Sequence, residues 1–310
     1  MVQTVFLTGA TGFVGGHVLR ELRAAGYDVR ALVRSPEAKL DAQTVVGDLR
    51  EPGLMVRFLE DCAYVVHCAA LYSFAPAARL QMHRVNVLGT AGLLEAARVA
   101  GVGRAVVTSS SATLYAHSLD GSAYHRSKVE QERAAIAARV PTVLILPTAP
   151  VGPGDTKPTP TGRLVRDFAR GKINVLPPRG GMNVVAVEDV ARAHVAALEC
   201  GEPRERYVVG GENLTFDELW ALLSQITGRK MPRVRIPYGL AFAAGLCDEM
   251  LCRMQPQREP AVPLEGVRMS RQRMFVDDDR TKRELGIERT PVREALERAV
   301  AWYRAHGYAS

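Results

Sequence analysis

The sequence predicts an α/β fold, a doubly wound parallel sheet with a smaller mixed lobe toward the C-terminus. Three observations carry this. Strand-like and helical stretches alternate through the first half, prolines crowd the chain after Pro147, and a glycine-rich turn, Thr8-Gly9-Ala10-Thr11-Gly12-Phe13-Val14-Gly15, stands between the first strand and the first helix.

Taken in order, Val2 to Leu7 is a short run of β-branched and aromatic residues, and Phe13 to Ala25 carries Phe13, Val14, Val18 and Leu22 at helical spacing. Further strands are expected at Asp28 to Val33, Thr44 to Gly47, Tyr64 to Cys68, Arg104 to Ser109 and Thr142 to Leu146, with helices between most of them. Such alternation calls for a parallel sheet covered on both faces. Pro150, Pro153, Pro158, Pro160, Pro177 and Pro178 then break the pattern. The expected division is residues 1–150, rejoined by about 184–200, as a dinucleotide-binding domain, with 151–183 and 201–310 as a substrate-binding lobe. Within the lobe, Phe216 to Thr227 reads as a helix capped by Thr215, with Glu218 completing a capping box. Tyr238 to Met254 is apolar but interrupted by Asp248, Glu249 and Arg253, too short and too charged to span a bilayer. It reads as a helix packed on the lobe, with a lid over an apolar substrate or a membrane-surface contact as the alternatives.

With 310 residues, 47% of them hydrophobic, the chain can bury one large core and an appended lobe. The net charge of +7 does not indicate nucleic acid, because 40 basic residues are dispersed among 33 acids and no aromatics interleave with the Arg268, Arg271, Arg273 group. Five scattered cysteines, no C-x-x-C pair, no H-E-x-x-H and no secretory signal point to a cytoplasmic protein that needs no metal.

The chemistry rests on three local patterns. Gly9, Gly12 and Gly15 lie where a backbone without Cβ can approach a pyrophosphate and where the unpaired N–H groups of a helix start favour negative charge, so a Rossmann-type site for a dinucleotide is expected. Tyr124 and Lys128 fall one turn apart on a helix expected at Ala123 to Ala138, and a nearby ammonium favours the ionised form of a phenol that would otherwise be inert at neutral pH. The strand ending Thr108-Ser109-Ser110-Ser111 presents hydroxyls at the edge of the ligand crevice, suited to a substrate oxygen. Where an Asp or Glu would bind both ribose hydroxyls, the second strand ends Val33-Arg34-Ser35. This predicts NADP(H) rather than NAD(H), with Arg34, Ser35 and Arg30 at the 2′-phosphate.

With these motifs, the chain resembles the extended short-chain dehydrogenase/reductase family over essentially its whole length. Gly47-Asp48-Leu49, Cys68-Ala69-Ala70, Asn86-Val87-Leu88-Gly89-Thr90, Thr108-Ser109-Ser110 and Tyr124 to Lys128 follow that family's order. Gly154 to Arg163, Gly210 to Thr215 and Gly266 to Met269 resemble its group of dihydroflavonol-reductase-like proteins and hopanoid-associated sugar epimerases. The resemblance implies that Tyr124 is the general acid or base, that Lys128 binds the nicotinamide ribose, and that Ser110, or alternatively Ser111, orients the carbonyl. Asn86 supports the site from a helix. The implied cofactor contacts are Gly9, Thr11, Gly12, Phe13, Val14, Gly15, Arg34, Ser35, Asp48 (at the adenine amine), Leu49, Ala69, Ala70, Thr108, Lys128, Pro147 and Thr148. One departure is a short segment, Ser111 to Ala123, between serine and tyrosine, which implies an open pocket.

The implied reaction is hydride transfer between the nicotinamide and a carbonyl or secondary alcohol of an apolar small molecule. The alternatives are a nucleotide-sugar epimerase with retained cofactor, Lys157, Arg163 and Arg179 clamping the diphosphate, and a non-catalytic NADP-binding regulator. A homodimer is compatible with any of them.

Overall fold

The structure, a computed structural model, describes residues 2–118 and 123–309. Its eleven strands are β1 (Thr4–Thr8), β2 (Asp28–Val33), β3 (Gln43–Val46), β4 (Cys62–His67), β5 (Arg104–Thr108), β6 (Thr142–Pro147), β7 (Ala149–Val151), β8 (Gly181–Ala186), β9 (Arg206–Val209), β10 (Glu212–Thr215) and β11 (Arg273–Met274). Seven form one parallel sheet in the order β3-β2-β1-β4-β5-β6-β9. The sequence of crossovers reverses between β1 and β4. At such a switch point the loops leaving the two carboxyl ends splay apart and open a crevice.

The strands are near-continuous apolar runs because helices cover both faces. On one face, helix Phe13–Ala24 packs Val18 and Leu22 against helix Val187–Glu199 and the sheet residues Val5, Leu7 and Val29. On the other, helices Gly89–Val99 and Ala123–Ala137 bury Leu93, Leu94 and Ala135 against Phe6, Val65 and Val107. A third cluster, built from Phe168, Trp220, Leu296 and Tyr303, fills the space beside the small sheet, where β8 pairs antiparallel with β10 and parallel with β7 and β11. The capping box at Thr215 and Glu218 is present, and its helix ends on Gly228 in the left-handed region.

Two features differ from the reading of the chain. The stretch Val184 to Cys200 divides, β8 belonging to the small sheet and helix Val187–Glu199 covering the large one. Strand β9 extends the large sheet although it was not expected. Only Tyr207-Val208-Val209 marks it, too short a run to show a period.

Candidate active site

The crevice is built from the glycine turn upward. Gly9 sits at φ 78°, and a Cβ there would lie 2.7 Å from the Ala69 nitrogen; a Cβ on Gly15 would lie 2.1 Å from the Gly9 carbonyl oxygen. The turn closes with Gly12 N donating to Gly9 O at 2.9 Å. Gly12 then begins helix Phe13–Ala24 with no side-chain cap and no acid in the first turn, so the N–H groups of that turn face the crevice mouth unclaimed. These properties fit the pyrophosphate of a dinucleotide: a backbone stripped of Cβ atoms and donors with no internal acceptor. Thr11 is exposed and Phe13 and Val14 half-buried beside it, Phe13 packing edge-to-face on His17 at 5.7 Å.

Across the switch point, Ala69 N donates to Thr8 Oγ1 at 3.3 Å, which holds the loop after β4 against β1. Ala70 is exposed next to it. Leu49 is buried in the core and abuts Gly89, so it shapes the crevice wall from behind. Both Asp48 oxygens accept from Arg50, Oδ1 from its Nε at 2.9 Å and Oδ2 from its Nη2 at 2.7 Å. This guanidinium holds the Asp48 carboxyl below the usual carboxylate range. Arg34 is exposed just past the end of β2, and Ser35 hydrogen-bonds Glu37. Arg30 is not with them. It lies three residues back along β2, where its guanidinium donates to Phe58 O at 2.9 Å, Glu60 O at 2.7 Å and Gln43 Oε1 at 3.0 Å.

Helix Ala123–Ala137 brings Tyr124, Lys128 and Glu132 to one face, each a turn beyond the last. Burial pushes the Tyr124 pKa up to about 12, the Ser110 side chain beside the phenol pulling the other way and Glu265 adding a little to the rise. Ser110 in turn accepts from Ala112 N at 3.2 Å. Ser111 is buried at the start of the next turn, and of the two serines Ser110 is the one that bears on the Tyr124 phenol. Lys128 is buried and its Nζ donates to Thr108 O at 2.9 Å and to Gln131 Oε1; burial pushes its pKa down to about 8, against the pull of the Glu132 carboxylate. Thr108 Oγ1 meets His194 Nε2 at 2.7 Å. Pro147 is buried at the end of β6, and Thr148 donates through Oγ1 to Asn183 at 2.8 Å.

Asn86 lies in a π-helical turn, His83–Leu88, fully buried. It accepts from Leu71 N at 2.7 Å and donates to Leu71 O at 2.9 Å and Ser127 Oγ at 3.1 Å. Its role in the geometry is to pin the loop after β4 to the helix that carries Tyr124.

Sequence reasoning missed two groups. Glu132 accepts from Ser109 Oγ at 2.5 Å and Thr113 Oγ1 at 2.7 Å and pairs with Arg206 at 2.9 Å, clamping the loop that bears Ser110 at both ends. Its spacing, four residues beyond Lys128, was the available signal. Tyr72 packs its ring on Tyr124 with centroids 4.4 Å apart, and nothing in its sequence neighbourhood marks it.

Tyr124 opens onto a cavity of about 450 Å³ between the loop at Ser73 to Arg79, helix Tyr238–Met254 and residues Pro260 to Arg268. Its lining mixes Phe74, Ala75, Val262 and Leu264 with Arg79, Arg126, Arg253 and Arg268 and the acids Glu249 and Glu265. Lys157, Arg163 and Arg179 are not among the residues that line it. Residues 119–122, within the short Ser111 to Ala123 segment expected to open the pocket, lie outside the described residues.

The comparisons agree with this architecture. The chain is 35% identical to a Synechocystis protein named as a dihydroflavonol 4-reductase, covering 99% of this chain and 96% of the relative. It is 34% identical to sterol demethylase protein B of Methylococcus capsulatus, over 98% and 99% of the two chains. The crystal structure of gox2253, 36% identical, superposes with a TM-score of 0.85 over 99% of this chain and 100% of that one. The family model described as "NAD dependent epimerase/dehydratase family" matches residues 5–210, which span the glycine turn, the Ser110 loop and the Tyr124–Lys128 helix, and the chain belongs to that family.

Proposed function

We propose that this enzyme transfers hydride between NADP(H) and a carbonyl or secondary alcohol of a largely apolar small molecule, with Tyr124 as the general acid or base. The observation that carries the reading is the placement of the Ser110 side chain beside the Tyr124 phenol at the cavity wall, with Lys128 one helical turn away. The Gly9-to-Gly15 turn would hold the pyrophosphate, Lys128 the nicotinamide ribose, and the Ala69, Thr108 and Thr148 neighbourhood the nicotinamide end. Bound there, the cofactor supplies or accepts the hydride. With its pKa near 12, the Tyr124 phenol is protonated at neutral pH and is ready to donate to an alkoxide oxygen as charge develops on it. Ser110 supplies a second hydrogen bond to the same oxygen. Lys128, its ammonium already held by Thr108 O and Gln131, has a remaining N–H to direct at a ribose hydroxyl. Its charge lowers the cost of the phenolate left after proton transfer.

Arg34 supports NADP(H): its guanidinium is exposed at the end of β2, and no ion pair engages it among the described residues. The sterol named in one relative and the apolar part of the cavity lining support an apolar substrate. Epimerisation is the second reading, favoured by the family's description. The residue set near Tyr124 serves either reaction, and net consumption of NADPH separates them. The test is Tyr124→Phe. Turnover with NADPH and a panel of apolar ketones and aldehydes is expected to fall at least about a hundredfold, with NADPH affinity essentially unchanged. Retained turnover would refute the assignment.

A further inference from the structure

Lys128 is a cation almost wholly enclosed by protein. It is 1% exposed, and among the described residues its Nζ has two acceptors, Thr108 O at 2.9 Å and Gln131 Oε1. Neither carries a charge. The carboxylate of Glu132, one turn on, is taken up by Ser109, Thr113 and Arg206. An ammonium buried in this way stays charged and aimed only as far as its acceptors are themselves held in place.

Gln131 is held by Thr90. The Thr90 hydroxyl has a single hydrogen and donates it to Asn86 O at 2.6 Å, so toward its two other neighbours it is an acceptor. Gln131 must then offer it the amide NH2, as Nε2 does at 3.0 Å, which leaves Oε1 for Lys128. His67 must offer it Nε2–H, at 2.9 Å, so the neutral ring has Nδ1 bare. Thr8 Oγ1 accordingly donates to Nδ1 at 2.7 Å and accepts from Ala69 N at 3.3 Å. Thr8, His67, Thr90 and Gln131 are all 0% exposed, so each polar group has to be paired inside the protein. Turning the Gln131 amide over would set its NH2 against the ammonium and its oxygen against an oxygen that already accepts.

We propose that Gln131 is a positioning residue for Lys128: anchored on Thr90, its amide holds the ammonium in the charged form and leaves the third N–H for the crevice. The bonds that fix it begin at Ala69 N, in the loop after β4, so one network sets both sides of the crevice. The proposal deepens the redox reading and rests on it for the destination of that N–H, the nicotinamide ribose.

The titratable groups around Lys128 are Glu132 and Tyr124 on its own helix, His67 and Cys68 at the end of β4, and His194, which reaches Thr108 from helix Val187–Glu199. Glu132 is paired with Arg206. Burial raises Tyr124 and Cys68 to about 12 and lowers His67 and His194 to about 3 and about 4, whereas it brings Lys128 to about 8. A charge change near pH 8 in this cluster therefore belongs to Lys128.

The experiment is an NMR titration of the Lys128 side chain in the full chain, its signal assigned by its loss in Lys128→Arg. Removing an acceptor from the ammonium disfavours the charged form, so Gln131→Met is expected to move the midpoint down by about one pH unit. Thr90→Val should move it the same way, and Thr90→Ser, which keeps the hydroxyl, should hold the parent value. The Thr90 pair decides the matter should Gln131→Met fail to fold. The pH at which NADPH affinity falls away should shift with the midpoint. A midpoint unmoved by Gln131→Met and Thr90→Val, or moved as far by Thr90→Ser as by Thr90→Val, would overturn the proposal. A midpoint that moves while the NADPH profile stays put would keep Gln131 in its role and remove Lys128 from the ribose, a failure of the redox reading instead.

Discussion

At the scale of single residues, the choice between Ser110 and Ser111 turns on which hydroxyl the loop aims at Tyr124. Glu132 fixes that aim by gripping Ser109 and Thr113, the residues that bracket the turn. Arg206, from β9 on the far edge of the sheet, neutralises the buried carboxylate, so the clamp depends on a strand the sequence did not announce. Arg34 is the residue on which cofactor choice rests in our reading. A charge-assisted contact to a 2′-phosphate is worth about 1.5–3 kcal/mol, roughly ten- to a hundredfold in affinity. Arg34→Ala should therefore weaken NADPH binding by that factor and leave NADH binding unchanged, measured by fluorescence titration. Equal loss for both cofactors would remove Arg34 from the phosphate site.

At the scale of elements, the strand–turn–helix that opens the chain works because three backbones meet where no side chain fits. Gly15 and Gly16 are neighbours with opposite expectations. A Cβ on Gly15 collides with the Gly9 carbonyl at 2.1 Å, whereas one on Gly16 meets nothing closer than the Ala10 carbonyl at 3.4 Å. Gly15→Ala should destabilise by about 1–3 kcal/mol as the turn is forced open, and should remove most of the melting-temperature increase that NADPH gives. Gly16→Ala should be neutral or stabilise by up to about 1 kcal/mol from helix propensity. Differential scanning fluorimetry with and without NADPH separates the two. This element was legible in the sequence because strand, glycines and helix are contiguous. So was the one-turn spacing of Tyr124 and Lys128, since a helix maps sequence separation directly onto space. The helix at Tyr238–Met254 was legible as a helix but not in its orientation: its composition is the same whichever arc is buried.

At the scale of the whole molecule, a buried polar chain joins the two halves of the crevice. Thr8 Oγ1 meets His67 Nδ1 at 2.7 Å, His67 Nε2 meets Thr90 Oγ1 at 2.9 Å, and Gln131 links Thr90, at 3.0 Å, to the Lys128 ammonium. Burial lowers the His67 pKa to about 3 and that of His194 to about 4, so both are neutral in the folded protein above about pH 4. An unfolded chain takes up those protons near pH 6.5. Stability is therefore expected to fall as pH drops below about 6.5, down to about 4 for the His194 contribution and about 3 for that of His67, by up to about 1.4 kcal/mol per unit for each histidine. Urea midpoints across that range test this, and His67→Gln should flatten the slope; an unchanged slope would show that other groups govern acid unfolding.

The sequence by itself determined the elements whose signals are local: the six leading strands of the large sheet, the glycine turn, the capped helix at Phe216–Thr227 and the Tyr124–Lys128 pair. Local signals survive in one dimension because hydrogen-bonding period, cap chemistry and glycine freedom act over a few residues. Only the tertiary structure decided what depends on distant partners. It placed Ser110 on Tyr124, turned Arg30 to the backbone at Phe58 and Glu60, seated Arg206 on Glu132 and left one arc of Tyr238–Met254 bare. Those outcomes are set by which surfaces meet when separate segments pack, and a linear pattern of residue types does not encode a meeting point.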